Sequence, residues 1–162
     1  NEYPDLNPDF IFAYPAYNVR STEVNAVIGR AQLKRLDQNN EKRKENFKFF
    51  LDHLSTEKYG TNFELEGSCN YAFNLIINKP DIDFCNRVMD VLCKENIEFR
   101  KGSAGGGKQM RQPYLKDYIS ENDYKNYPEV EHIHFYSFYL GNYPDLPKEK
   151  ILKLCKLLKS LE

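Results

Sequence analysis

No stretch of this sequence approaches the roughly 20 consecutive apolar residues that cross a bilayer, and no basic-then-apolar leader opens it. A membrane-spanning protein is therefore not expected, and the cytoplasm is the expected location. Clusters of Lys and Arg are also missing. The formal net charge is -1, with both signs interspersed, which argues against a nucleic-acid or anionic-membrane surface. Cysteine is sparse. Cys69, Cys85, Cys93 and Cys155 form no C-x-x-C pair, which gives no support to a metal or disulfide pair. Cys85, Cys93 and Cys155 fall within apolar helical patterns, where a free thiol behaves as a small hydrophobe. Reduced core thiols of a cytosolic protein are the expectation. The chain lacks an initiator Met and opens on Asn1-Glu2-Tyr3-Pro4, so the expectation is a fragment or a processed product.

What is present suits one soluble globular domain. The 162 residues are enough to bury a core, and 41% are apolar against 29% charged. Residues 1–20, rich in Pro, Tyr and Asn, read as an extended arm. Ser21 or Thr22 caps the next element, and Glu23 suits its positive end. Val24, Val27, Ile28, Ala31 and Leu36 recur at helical spacing, and Phe47, Phe50, Leu51 and Leu54 resume the stripe after a polar stretch. Because the polar stretch Asp37 to Asn46 contains no Gly or Pro, this pattern predicts one long helix over 22–54, bent near Asn39-Asn40, spanning the domain and touching a neighbour. The mixed charges from Lys34 to Lys48 read as its solvated face.

Beyond it, Tyr71 to Ile77 predicts a buried strand. Asp83 is expected to cap a helix carried by Phe84, Val88, Val91 and Leu92. A short strand is expected over Ile97 to Arg100, then a glycine loop over Gly102 to Gly107. Short helices are expected at Pro113 to Ile119 and Pro128 to His132, a strand at Phe135 to Leu140, and a last helix from Pro147. This order predicts an α+β domain with helices on one face of a small sheet. Tyr71, Phe73, Phe135 and Phe138 read as core.

Two motifs need weighing before any function is assigned. Gly105-Gly106-Gly107-Lys108 fits neither G-x-G-x-x-G nor G-x-x-x-x-G-K-[ST], since Gln109 follows Lys108. It reads either as a mobile surface loop or as a substrate-facing loop in which Arg111 meets a bound ligand. His132 and His134 form an H-x-H pair beside Glu131, but no third or fourth metal ligand is evident. A structural or substrate-lining role at the start of the strand is expected, with His134 or Tyr136 facing the substrate.

The segment Tyr17-Asn18-Val19-Arg20-Ser21-Thr22-Glu23 through Gly29-Arg30-Ala31-Gln32-Leu33-Lys34-Arg35-Leu36 resembles the Y-N-x-R-x-[ST]-E…I-G-x-x-Q-L-x-x-L signature of the DegT/DnrJ/StrS family of PLP-dependent sugar enzymes. Weaker agreement continues to the C-terminus. The resemblance implies the small C-terminal domain of a fold-type I enzyme, with a long first helix and a small, largely antiparallel sheet covered by helices. The domain would cover residues 21–162, with 1–20 as an arm from a large domain. That large domain would carry most of the PLP or PMP contacts and the cofactor lysine, so the fragment itself is expected to bind no cofactor and to lack catalytic residues.

The resemblance further implies a homodimer in which Asn18 and Arg20 reach the neighbour's PLP phosphate. The chemistry is reasonable, because residues two apart on an extended arm share a side and Arg grips phosphate with two donors. From the residues alone, Asn18 could instead close a turn and Arg20 could be a solvated charge. Tyr17, Arg111, Gln112 and His134 are the implied contacts for a nucleotide-sugar substrate.

Gly105 to Tyr114 resembles the G-G-N-x-x-R-Q-P stretch of the branch that includes sugar 3-dehydratases, and Phe138-Tyr139-Leu140-Gly141-Asn142 its F-Y-x-G-N strand. Lys108 departs from the expected Asn, and no C-x-C supports an iron-sulfur cluster. The implied activity is transamination of a nucleotide-linked 4-keto-6-deoxyhexose in surface-polysaccharide biosynthesis, with PMP-dependent 3-dehydration as the alternative. A non-catalytic binding or dimerisation module, using the long helix as its partner surface, stays open as a reading of another class.

Overall fold

Thr22 starts the first helix as its sequence position requires. Its hydroxyl oxygen accepts the Asn25 N–H at 3.4 Å and caps α1 (Glu23–Leu33). A computed structural model describes residues 2–17, 20–102, 107–120 and 122–161. Asn18 and the glycine-loop residues 103–106 lie outside the described residues.

The expected single helix is two. After Leu33 the chain tightens: the Lys34 and Arg35 amides both donate to the Gln32 carbonyl, and Arg35 leaves helical geometry at φ -114, ψ 0. α2 (Leu36–His53) then begins. The break therefore comes at Lys34-Arg35 and not at Asn39-Asn40. Its physical reason is packing. α2 must turn Asn46, Phe47 and Phe50 into the core, whereas α1 buries none of its residues.

β1 (Ala72–Ile76), β2 (Phe99–Lys101) and β3 (Ser137–Gly141) form an antiparallel sheet in the order β1-β3-β2. The register pairs Phe73 with Leu140 and Leu75 with Phe138. Those four side chains share one face and are buried beneath Phe47 and Phe50 of α2. α3 (Ile82–Lys94) adds Phe84, Cys85, Val88 and Leu92, and α5 (Lys148–Lys159) adds Ile151, Leu154, Cys155 and Leu158. Phe50 stacks on Phe73 with ring centroids 4.7 Å apart. The opposite face carries the row Asn74, Tyr139 and Arg100. The domain is thus α+β with its helical layer on one sheet face.

Several local expectations are corrected. Asp81, not Asp83, caps α3, because its Oδ1 accepts the Phe84 N–H at 2.8 Å. The helix ends in a Schellman turn: Asn96 sits at φ 54, and the Asn96 and Ile97 amides return to the Cys93 and Leu92 carbonyls. Cys93 is exposed on the outer face of that helix, so only Cys85 and Cys155 are core thiols. Tyr71 is also exposed, packing edge-on to Tyr139 outside the sheet. Pro113 opens a single 3-10 turn (Pro113–Leu115) where a short helix was expected.

Asn142, just after β3, explains the Gly-Asn pair in structural terms. Its Nδ2 donates to the carbonyls of Arg43 (2.9 Å) and Asn70 (2.8 Å), and its Oδ1 accepts from Asn46 Nδ2 at 3.3 Å. One buried amide therefore ties α2, the entry to β1 and the exit from β3 together.

Candidate functional site

Most residues singled out in the sequence meet along a seam between the N-terminal arm and α4 (Pro128–Tyr136), whose last residue leads directly into β3. The seam is built from buried polar groups. Gln112 is 1% exposed. Its Nε2 donates to the Phe10 carbonyl and its Oε1 accepts the Phe12 N–H, both at 2.9 Å. The amide of Gln112 is thus wholly engaged with the arm's backbone.

Arg111, on the 3-10 turn Gln109–Arg111, points along the same seam. Nη2 and Nε donate to the two carboxylate oxygens of Glu131, and Nη1 donates to Asp5 Oδ2 at 2.9 Å. Its guanidinium also lies over the Tyr124 ring at 4.2 Å and the Phe135 ring at 5.0 Å. Lys108 approaches Glu131 from the other side. Its buried ammonium donates to the Tyr124 carbonyl, to the Tyr127 carbonyl at 3.3 Å and to Glu131 Oε2 at 3.2 Å.

One carboxylate thus receives two cations. Burial pushes the Glu131 carboxyl up, but hydrogen bonds from Arg111 and Lys108 outweigh it and hold it below the usual carboxylate range. Burial alone would lower the Arg111 pKa, yet the Glu131 carboxylate raises it above its ordinary value.

His134 completes the seam. Its Nε2 donates to the Asp5 carbonyl at 2.8 Å, and its Nδ1 accepts the Lys108 N–H at 3.1 Å. Those partners assign a neutral ring with the proton on Nε2. Burial lowers its pKa, more strongly than the bond to Asp5 raises it. Gly107 lies against the ring at φ 85, where any Cβ would overlap it. His132 turns elsewhere and pairs through Nε2 with the Ile77 carbonyl at 2.6 Å. Among the described residues no group of His, Cys, Asp and Glu can hold a metal ion.

Beside this seam a cleft of about 550 Å³ opens among Tyr3, Asp5, Met110, Arg111, Lys116 and Tyr124. A cleft of about 630 Å³ between β2 and α5 is lined mainly by apolar and tyrosine side chains and contains none of the residues chosen from the sequence. Tyr17 and Arg20 lie apart from both. Tyr17 is 96% exposed, and Arg20 is exposed with no described residue bonded to its guanidinium. Asn18 lies outside the described residues.

The sequence pointed to Arg111, Gln112 and His134, but not to Lys108 and Asp5 as their partners. Glu131 was visible only as a neighbour of the histidines. No local pattern links Asp5, Lys108 and Glu131, because they meet only through the tertiary fold.

For pyridoxal phosphate, the described residues fit one end of the group alone. Arg20, exposed and bonded to no described residue, can take a phosphate oxygen. The buried ammonium of Lys108 is fully engaged with two carbonyls and Glu131, so it cannot serve as the cofactor's amine.

The profile of the DegT/DnrJ/EryC1/StrS aminotransferase family matches residues 6–159. A GDP-4-keto-6-deoxy-D-mannose 3-dehydratase from Escherichia coli O55:H7 is 27% identical over 135 residues, which cover 83% of this chain and 34% of the relative. A solved E. coli GDP-4-keto-6-deoxy-D-mannose-3-dehydratase with bound hydrated PLP superposes with a TM-score of 0.72 at 28% identity, covering 93% of this chain and 38% of that one. An aminotransferase from Psychrobacter cryohalolentis shares the fold, with a TM-score of 0.64 at 21% identity over 90% of this chain and 40% of that one. The chain spans about a third of the length of the curated relatives it matches. Among the described residues, no helix is long and apolar enough to cross a membrane.

Proposed function

This chain belongs to the DegT/DnrJ/EryC1/StrS aminotransferase family, and from that premise we propose that it serves as the small C-terminal domain of a PLP- or PMP-dependent enzyme acting on a nucleotide-linked 4-keto-6-deoxyhexose. Of the two reactions the family supports, 3-dehydration is the one favoured here over transamination. The observation that carries this choice is the 27% identity to a sugar 3-dehydratase over 83% of the chain. The Arg111-Gln112-Pro113 segment, read in the sequence as a mark of that branch, points the same way.

When bound, the cofactor's pyridine ring would supply an electron sink for negative charge developing beside its amine nitrogen. This chain's share is binding and alignment. Arg20, with Asn18 beside it, is assigned to the PLP phosphate of a second subunit. Arg111, with Tyr17, is assigned to the sugar-nucleotide side, and His134, both of whose ring nitrogens are committed to Asp5 and Lys108, to positioning the seam beside it. Arg111 is held there by Glu131 and Asp5, so its guanidinium is oriented before a diphosphate arrives. Gln112 serves the same end by fixing the arm. The homodimer and the cytoplasmic location expected from the resemblance belong to this reading.

The test is product analysis on a polypeptide of the family's full length that carries this sequence. Incubation with a GDP-4-keto-6-deoxyhexose, PMP and glutamate should yield a 3-deoxy sugar by mass spectrometry. A 4-amino sugar would assign transamination instead, and neither product would overturn the reading. In the same polypeptide, Arg20→Ala should weaken PLP retention about tenfold or more, the order of one charge-assisted contact of roughly 1.5–3 kcal/mol. Unchanged retention removes the phosphate assignment.

A further inference from the structure

Gly102 and Lys108, which bracket the glycine loop, are fastened by bonds of different kinds. The Gly102 amide donates to the Ser137 carbonyl of β3 at 2.7 Å, a backbone bond with no titrating group in it. The Lys108 amide donates instead to a side chain, His134 Nδ1, at 3.1 Å. A ring nitrogen accepts only while it carries no proton.

Protonation therefore acts unequally on the two contacts of His134. Nε2 donates to the Asp5 carbonyl at 2.8 Å, and it remains a donor in the imidazolium. Nδ1 turns from acceptor to donor, so its new proton confronts the Lys108 N–H. One of the two groups has to move. The ring has little room, because Phe135 packs edge-on with centroids 4.6 Å apart and Gly107 lies so close that a Cβ there would overlap Nδ1. Lys108 is 2% exposed, so its amide finds no water where it stands. The move that satisfies it carries the Gly107–Lys108 backbone outward.

Groups from every element around the ring set when this happens. Burial is the largest influence and opposes the charged ring, whereas the bond to the Asp5 carbonyl of the arm favours it. Arg111 of the 3-10 turn and Lys101 of β2 oppose it, and Glu131, one turn earlier on α4, favours it. The Asp5 carboxylate is spent on Arg111, and the Lys108 ammonium is turned onto Glu131. The balance disfavours the imidazolium, which places the change in mild acid, below the free imidazole range.

We propose that His134 is a proton-operated latch: neutral, it fastens both the arm, through Asp5, and the Gly107–Lys108 backbone; protonated, it keeps the arm and releases that backbone. Acid thereby loosens the approach to Arg111 while the arm stays seated. The latch lies wholly within this chain and does not rest on the proposed reaction.

NMR-detected hydrogen exchange on the 162-residue chain tests it from about pH 8 to about pH 5, with each rate divided by that of an unstructured peptide at the same pH. Ring nitrogen shifts should show Nδ1 of His134 gaining a proton while Nε2 keeps its own. Across that titration the protection of the Lys108 amide should fall at least about tenfold, the order of one lost hydrogen bond. The Ile77 amide, bonded to the Tyr136 carbonyl, and the Phe12 amide, bonded to Gln112, should keep theirs. His134→Gln can accept from Lys108 and donate to Asp5 yet does not titrate, so it should hold Lys108 protection constant over the same range. Lys108 protection that is unchanged while wild-type His134 titrates overturns the latch. So does a loss matched at Ile77, which would be unfolding of the whole domain, or a ring that stays neutral until Ile77 exchanges freely. The wild-type titration decides the matter even where the glutamine variant fails to fold.

Discussion

Gln112 meets Phe12 as a neighbouring strand would. The side-chain oxygen accepts the Phe12 amide while the side-chain nitrogen donates to the Phe10 carbonyl two residues back. A single buried side chain thus supplies both halves of a ladder step to an arm that has no strand beside it. Gln112→Ala removes both bonds and leaves two backbone groups to find water. The expected cost is about 1–3 kcal/mol, and the Phe12 amide should exchange with deuterium far faster than in wild type. Wild-type protection at Phe12 would mean that the arm is held by other contacts.

Glu131 and His134 set the response to acid, and both act in the same direction. The folded pKa of each is depressed. For such a group the unfolded chain takes up its proton first as the pH falls, so stability is lost on the way down. His134 contributes below the ordinary imidazole value of about 6.5 and Glu131 below an ordinary carboxyl value of about 4.3. Urea unfolding should therefore show a first decline as the pH falls through about 6.5 and a second as it falls through about 4.3. NMR titration of His134 should give a midpoint below its free value. A midpoint at or above that value would contradict the neutral, doubly bonded ring.

Removing the shared carboxylate tests the charge cluster at constant pH. Glu131→Gln leaves the buried Lys108 ammonium without its counter-charge and strips Arg111 of a two-pronged partner. The expected loss is about 2–4 kcal/mol at pH 7, somewhat below the range for wholly buried pairs because Glu131 is partly exposed. A loss under about 0.5 kcal/mol, the size of an ordinary surface change, would show that the cluster adds nothing net.

Gly107 and Gly60 make a paired test of backbone demand. Gly107 is at φ 85 with the His134 ring where a Cβ would stand, whereas a Cβ on Gly60 meets nothing nearer than 3.5 Å. Gly107→Ala should cost about 2–4 kcal/mol through strain and a displaced His134, against about 1 kcal/mol or less for Gly60→Ala. Equal costs, read from urea midpoints, would place the strain elsewhere.

The thiols should separate by burial. Cys155 is pushed up to about 11 by burial, and Cys85 is raised by the same cause. Cys69 and Cys93 are exposed. Alkylation at pH 8 should modify Cys69 and Cys93 within minutes and reach Cys85 and Cys155 only on unfolding, as peptide mapping would show.

Much of the fold was legible because periodicity reports burial directly. Phe47 and Phe50 of α2, Phe84, Val88 and Leu92 of α3, and Ile151, Leu154 and Leu158 of α5 reach the core expected of them, whereas Val91 stays half-buried outside it. The break at Lys34-Arg35 was not legible, since no Gly or Pro marks it and the cause lies in what α2 must face. Tyr71 and Cys93 sit in apolar surroundings in sequence but on outer faces in space, which pattern alone cannot separate. At the site, Arg111, Gln112 and His134 were found through their resemblance to a motif. Their partners were not. Lys108 reads in the sequence as a misplaced Asn, and only the fold shows its ammonium closing on Glu131 and two carbonyls. Interactions between residues over a hundred positions apart, such as Asp5 with Arg111, leave no local trace.

The arm also has a mechanical consequence. Residues 5–12 are fastened at Asp5, Phe10 and Phe12, and Leu6 is buried, whereas Tyr14 and Tyr17 just beyond stand free. Two of those fastenings, Arg111–Glu131 and His134, lead into α4, and α4 runs on into the central strand β3 with no loop between. Tension applied upstream of Asn7 would therefore not be absorbed by slack. It would arrive, through α4, at the strand on which the whole sheet is hung.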